Sequence, residues 1–159
     1  MSNIFLRIDH LAIAVHSLED AIVFYRDTLK LQLVERREIK GQSTGMRSAV
    51  MSAGNFQIVL IEGTSPESQI NRYIEKYGPG VQHVAFEVSN IEASRLALAD
   101  GGLEFSTNVL EAPGLRQTFS KRDHVSGMMF ELIERTGEVG FTDSNTTRLF
   151  EELESADAY

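Results

Sequence analysis

An internal repeat constrains this chain more than any other feature. "HLAIAVHSLEDA", beginning at His10, lies over "HVAFEVSNIEAS", beginning at His83, at a constant offset of 73 residues. Ala12 meets Ala85, Ile13 meets Phe86, Val15 meets Val88, Leu18 meets Ile91 and Glu19 meets Glu92. The pairing resumes downstream, where "VLIE" (Val59 to Glu62) lies over "ELIE" (Glu131 to Glu134) at an offset of 72. With 159 residues the chain suits one compact domain. That domain is built from two copies of a unit about 70 residues long.

Local patterning gives both units the same order of elements. Residues 6–15 alternate as a strand, and Ser17 with Asp20 makes a helix entrance before "LEDAIVFYRDTLK", whose apolar residues at 18, 21, 22, 25 and 29 fall at helical spacing. Strand-like runs at 31–38, 46–52 and 56–62 follow, separated by the turn-rich "KGQSTG" and "SAGN". The second unit repeats the order as strand 81–88, helix 91–100 closed by Gly101-Gly102, and strands near 103–107, 115–121 and 127–134. The expected fold is α+β: two βαβββ modules, about 4–64 and about 80–135, forming a curled mixed sheet around a shared cavity. A linker helix over 65–77 and a C-terminal helix over 144–155 complete a single domain of residues 1–159.

Equivalent strand positions of the two modules should project into the same cavity, because side chains alternate faces along a strand. His10 with His83 is one such pair and Val59 with Glu131 the other. Alone, His83 reads first as an ordinary core or edge histidine, since histidine is intermediate in burial. Glu131, inside "MMFELI", is costly to bury without a partner. A divalent metal would satisfy all three polar groups. Two histidines and one carboxylate make the facial triad of non-haem Fe(II) oxygenases, which leaves coordination positions open. Val59 cannot ligate; with a shifted register, Gln57 on the same strand face would become a fourth ligand.

Composition narrows the function classes. The chain has no cysteine, which excludes disulfides, thiolate metal sites and a Cys nucleophile, so a metal must be held by His, Asp, Glu or neutral oxygen donors. A net charge of −8 argues against a general nucleic-acid or anionic-membrane surface and for a small-molecule partner. No stretch approaches the roughly 20 apolar residues that span a bilayer, and "MSNIFLRIDH" lacks a secretory apolar region, so the expected location is cytoplasmic. Sheet edges in so short a chain need cover, and a homodimer is expected.

The quoted segments resemble the vicinal oxygen chelate superfamily over nearly the whole chain. "IDHLAIAVHSLEDAIVFY" is similar to methylmalonyl-CoA epimerases and glyoxalases. From residue 46 onward, "MRSAVMSA", "ESQINRYIEKYGPGVQHVAFEVSNI", "LRQTFSK", "MMFELIERTGEVGFTDSN" and "LFEELES" more closely resemble the catalytic half of 4-hydroxyphenylpyruvate dioxygenase. The resemblance implies His10, His83 and Glu131 as iron ligands, Ser48, Gln69, Gln82 and Gln117 as substrate-facing polar residues, and Phe119 as an aromatic wall. It further implies a 2-oxo acid that chelates Fe(II) through its carboxylate and keto oxygens, with O₂ as co-substrate.

The chain departs from that family in lacking the non-catalytic half, in a shorter "STNVLEAPG", and in carrying Thr64 for an asparagine and Thr146 for an aromatic residue. These departures bear on the aromatic-pyruvate substrate rather than on the metal. Spacing alone also leaves structural alternatives. Ser48 and Gln117 could satisfy backbone groups, Gln69 could be a surface residue of the linker helix, and Phe119 could be simple core. Gln82 should face away from the metal unless its strand bulges. His16 and His124, near turns, are assigned no chemistry.

Three functions compete on these grounds. The first is an Fe(II)-dependent oxygenase. The second is an epimerase or lyase using Co(II), Mn(II), Ni(II) or Zn(II) as a Lewis acid. The third is a resistance-type protein that binds a small molecule without metal.

Overall fold

The computed structural model describes residues 3–137 and 143–158. The first module comprises β1 (Phe5–Ala14), α1 (Leu18–Val23), β2 (Gln32–Lys40), β3 (Gly45–Ser52) and β4 (Gln57–Gly63). Helix α2 (Gln69–Tyr77) leads to the second, made of β5 (Gly80–Val88), α3 (Ile91–Asp100), β6 (Leu110–Ala112), β7 (Leu115–Phe119) and β8 (Met129–Arg135). Helix α4 (Asp143–Ser155) follows. The strands form one eight-stranded mixed sheet in the order β2-β3-β4-β1-β5-β8-β7-β6. Its centre is the antiparallel pair of β1 and β5, so the two modules join within one chain. On either side lies a parallel pair, β1 with β4 and β5 with β8.

Both module helices begin in the same way, which explains the repeated glutamate of "VLIE" and "ELIE". Ser17 caps α1 by accepting from the Asp20 amide, and Asn90 caps α3 by accepting from the Ala93 amide. The Glu62 carboxylate accepts a further amide, that of Leu18, at 2.7 Å, and Glu134 accepts that of Ile91 at 2.6 Å. Two otherwise orphaned donors per helix are thus satisfied, with negative charge placed at the positive end of the helix.

One sheet face packs on α1 and α3, through Leu18, Ile22, Ala49, Met51 and Leu60 in the first module and Val88, Ile91 and Leu132 in the second. The other face is closed by α2 and α4. Ile70, Tyr73, Ile74 and Phe150 cover Ala12, Ala14, Ile39 and Ile61, while Leu149 and Leu153 cover Phe119 and Met129. A space between the sheet and these two helices becomes the site.

Three sequence expectations change in detail. The helical run "LEDAIVFYRDTLK" is α-helical only to Val23 and continues as a π-helical turn over Phe24–Thr28. The linker helix begins at Gln69 rather than 65, because the Ser68 hydroxyl accepts the Asn71 amide and sets the start there. Residues 103–107 do not form the sixth strand, which lies instead at Leu110–Ala112. Phe105 makes an isolated bridge to Ser120, and the Thr107 hydroxyl accepts the Phe119 amide at 2.9 Å. A side chain thus occupies the place a ladder carbonyl would take.

Candidate metal centre

The registers of the two parallel pairs repeat one another. Ala12 faces Val59 across β1 and β4 as Ala85 faces Glu131 across β5 and β8, and His10 faces Gln57 as His83 faces Met129. His10, His83 and Glu131 therefore meet beside the central strand pair, all buried. His10 Nε2 lies 3.1 Å and His83 Nε2 3.4 Å from the same carboxylate oxygen, Glu131 Oε2. Among the described residues these three form a group of possible ligand atoms within 4.8 Å of one another. Adjacent donors each about 2.1 Å from one ion stand roughly 3 Å apart, so the spacing suits a metal. The other oxygen, Glu131 Oε1, is buried without a hydrogen-bond partner among the described residues, a deficit a cation would remove.

The imidazoles are turned by the residue in front of each. In β1 the pairing passes from Ile8 with Phe86 to His10 with Ala85, so Asp9 is an extra residue; in β5 it passes from Ala12 with His83 to Ile13 with Val81, so Gln82 is extra. These are β-bulges, which re-aim side chains. Asp9 Oδ1 lies 2.8 Å from His10 Nδ1, and Gln82 Oε1 pairs with His83 Nδ1. With Nδ1–H donating to these oxygens, Nε2 of each ring points to the shared site. Asp9 is held in turn by Arg135, Nε to Oδ2 at 2.8 Å and Nη2 to Oδ1 at 3.0 Å, and by Arg7 at 3.2 Å.

Charge differs sharply between the two rings. Burial opposes protonation of His10, but Glu131 beside it and hydrogen bonding to Asp9 and Glu131 raise its pKa to about 9. His83 is pushed below the ordinary histidine value, chiefly by burial. Burial would raise the Glu131 carboxyl, yet His10 and His83 hold it below the usual range. Burial would likewise raise the Asp9 carboxyl, but the His10 and Arg135 contacts hold it well below the usual carboxylate range.

The triad opens on a cavity of about 100 Å³ between the sheet, α2 and α4. Ser48, Gln69, Gln82 and Phe119 line it; Gln117 is buried but does not. The bulge brings Gln82 beside His83 on this face, where simple alternation would turn it away. The Phe119 ring stands edge-on to His83 at 4.9 Å. Gln69 Oε1 and both amide atoms of Gln117 are buried without hydrogen-bond partners among the described residues. Val59 lines the cavity and Gln57 does not, so the alternative fourth ligand is absent from the site. Thr64 is exposed and outside the lining, and the Thr146 side chain lies outside the described residues.

Sequence reasoning missed Asp9, Arg135, Glu35 and Arg37. The last two line the cavity from β2 and pair with each other. Asp9 could have been found, since it precedes His10 as Gln82 precedes His83, at the same offset of 73.

Comparison with known proteins places this geometry among relatives. The 4-hydroxyphenylpyruvate dioxygenase of Pseudomonas aeruginosa is 30% identical over 167 residues, covering 82% of this chain and 46% of that protein. A mutant of 4-hydroxymandelate synthase from Streptomyces coelicolor superposes with a TM-score of 0.82 at 27% identity, covering 93% of this chain and 53% of the other. The methylmalonyl-CoA epimerase of Mycobacterium tuberculosis superposes with a TM-score of 0.73 at 27% identity, covering 87% and 93% respectively. The chain thus spans about half the length of the first two. Residues 9–119 match a family profile across both modules, and the chain belongs to the Glyoxalase/Bleomycin resistance protein/Dioxygenase superfamily.

Proposed function

We propose that this chain is an Fe(II)-dependent oxygenase acting on a small chelating acid, most simply a 2-oxo acid. The observation that carries the reading is Val59, an apolar residue at the position equivalent to Glu131, which leaves three protein donors among the described residues and open coordination positions. His10 Nε2, His83 Nε2 and Glu131 would hold the iron, which when bound would supply the redox chemistry coupling reduction of O₂ to oxidation of the chelated acid.

The surrounding residues then have definable tasks. Val59, Val50 and Ile61 give the cavity an apolar wall, and Leu149, Phe150 and Leu153 from α4 shield it from water. Ser48 supplies a hydroxyl to the cavity, and Gln69 Oε1, an acceptor without a partner among the described residues, would take a hydrogen bond from the substrate. Phe119 fixes one side of the pocket through His83. Gln82 serves His83 first, and Gln117 would reach a substrate only by rotating toward the cavity. A cytoplasmic homodimer belongs to the same proposal: β2 and β6 are the sheet edges, and no described helix is long and apolar enough to cross a membrane.

The experiment is anaerobic reconstitution with Fe(II), followed by oxygen uptake across a panel of 2-oxo acids. Substrate-dependent uptake with stoichiometric iron is expected; no uptake with any acid refutes the oxygenase.

A second reading has its own support. Glu35 places a carboxylate on the cavity wall, and the chain matches nearly the full length of the Mycobacterium tuberculosis epimerase. An epimerase or lyase using Co(II), Mn(II), Ni(II) or Zn(II) would use such a group to move a proton at carbon. It predicts metal-dependent exchange of a substrate C–H with deuterated water in the absence of O₂. A protein that binds without metal predicts neither result.

A further inference from the structure

We propose that the two bulge residues, Asp9 and Gln82, are positioning residues that aim His10 and His83 at the metal, and that Arg135 locks the first of them. The inference rests on the reading of His10, His83 and Glu131 as a metal site and extends it to three residues outside the ligand set.

A histidine can ligate through either ring nitrogen, and the hydrogen bond made by one nitrogen decides which remains available. Here both Nδ1 atoms are engaged by the preceding residue, Asp9 for His10 and Gln82 for His83. In a regular strand this is unreachable, because neighbouring side chains point to opposite faces. Each bulge inserts one unpaired residue in front of a histidine and brings the oxygen to the same side as the ring. The device occurs once per module, at the same offset as the histidines, so it belongs to the repeated unit rather than to one local accident.

The two copies differ in strength. Asp9 carries charge and is gripped by a two-point Arg135 contact, whereas Gln82 is a neutral amide. Arg135 shares a face of β8 with Glu131, four residues earlier, so one strand supplies both a metal donor and the clamp that orients another. The buried carboxylate on His10 makes that imidazole the more electron-rich donor, and the site is asymmetric although its frame is nearly symmetric. Gln82, which the family resemblance assigns to the substrate, thereby acquires a different task.

The test is titration of the metal-free protein with Co(II), read by the visible absorption of the bound ion and by calorimetry, with the thermal midpoint of each metal-free protein as a control on folding. Asp9→Asn should weaken Co(II) binding by about 10- to 100-fold and alter its absorption, and Gln82→Leu should do so by a smaller factor. Because Asp9→Asn leaves Arg135 facing an amide, the double variant Asp9→Asn/Arg135→Gln, which removes both charges of that contact, should fold and show the same weakened binding. Wild-type affinity and spectrum in the folded double variant would overturn the inference while leaving the metal site standing. Failure of wild-type protein to bind Co(II) would overturn both.

Discussion

Loading of the metal should be a proton displacement, and the structure sets its size. His10 lies between two carboxylates, Asp9 Oδ1 at 2.8 Å and Glu131 Oε2 at 3.1 Å, and in the metal-free protein its pKa stands near 9. At pH 7 the ring is therefore an imidazolium donating to both, and a cation can reach Nε2 only by expelling that proton. His83, depressed by burial, is already neutral there, and Glu131 is already ionised. One proton should leave per ion bound, so apparent affinity should rise by roughly 80-fold from pH 6.5 to 8.5 and level off above 9. Calorimetric titration with Mn(II) in two buffers of different ionisation enthalpy counts the proton directly. Affinity that is flat over this range, with no proton released, would refute the assignment of His10 as the charged ring. The same pKa has the opposite effect on the metal-free fold. Raised from 6.5 to about 9, the His10 pKa contributes stability that is complete below 6.5 and is lost as pH rises through 9. The metal-free protein should therefore lose thermal stability between pH 6.5 and 9.5 relative to a His10→Gln variant.

Other perturbations separate the chemistry from the scaffold. Val59→Gln places a donor in the fourth equivalent position; it should keep or tighten metal binding while reducing oxygen uptake on the order of tenfold or more, and unchanged uptake would show that this position is not an open face of the metal. Phe119→Ala removes a ring that is 1% exposed and packed on His83, Leu149 and Leu153, and should cost about 3–5 kcal/mol in chemical denaturation. Glu154 fastens α4 to the β2–β3 turn by accepting from the Ser43 and Thr44 amides at 3.0 Å each. Glu154→Ala should speed amide exchange in residues 147–155 and weaken substrate binding more than turnover, whereas unchanged exchange would mean that Leu149, Phe150 and Leu153, with the Arg148 and Glu152 hydrogen bonds, hold the helix without it.

Much of the fold was legible in the sequence because the repeat carried it. Strand alternation, helix periodicity and capping residues are short-range signals, and their recurrence 73 residues later fixed the order of elements in both modules. The repeat also paired His10 with His83 and Val59 with Glu131, and all four line the same cavity. Residues 103–107 misled because their pattern suits a strand, while the Thr107 side chain bonds where a ladder would form.

What the amino-acid order alone determined was the doubled unit, the absence of thiol chemistry, and the presence of two imidazoles and a carboxylate at matching places. What only the tertiary structure decided was direction. The bulges that turn Asp9 and Gln82 onto the histidines, the grip of Arg135 on Asp9 across 126 residues of chain, and the closure of the cavity by α4 depend on strand pairings between distant segments. An extra residue in a ladder is defined only by the partner strand, so no local pattern could reveal it.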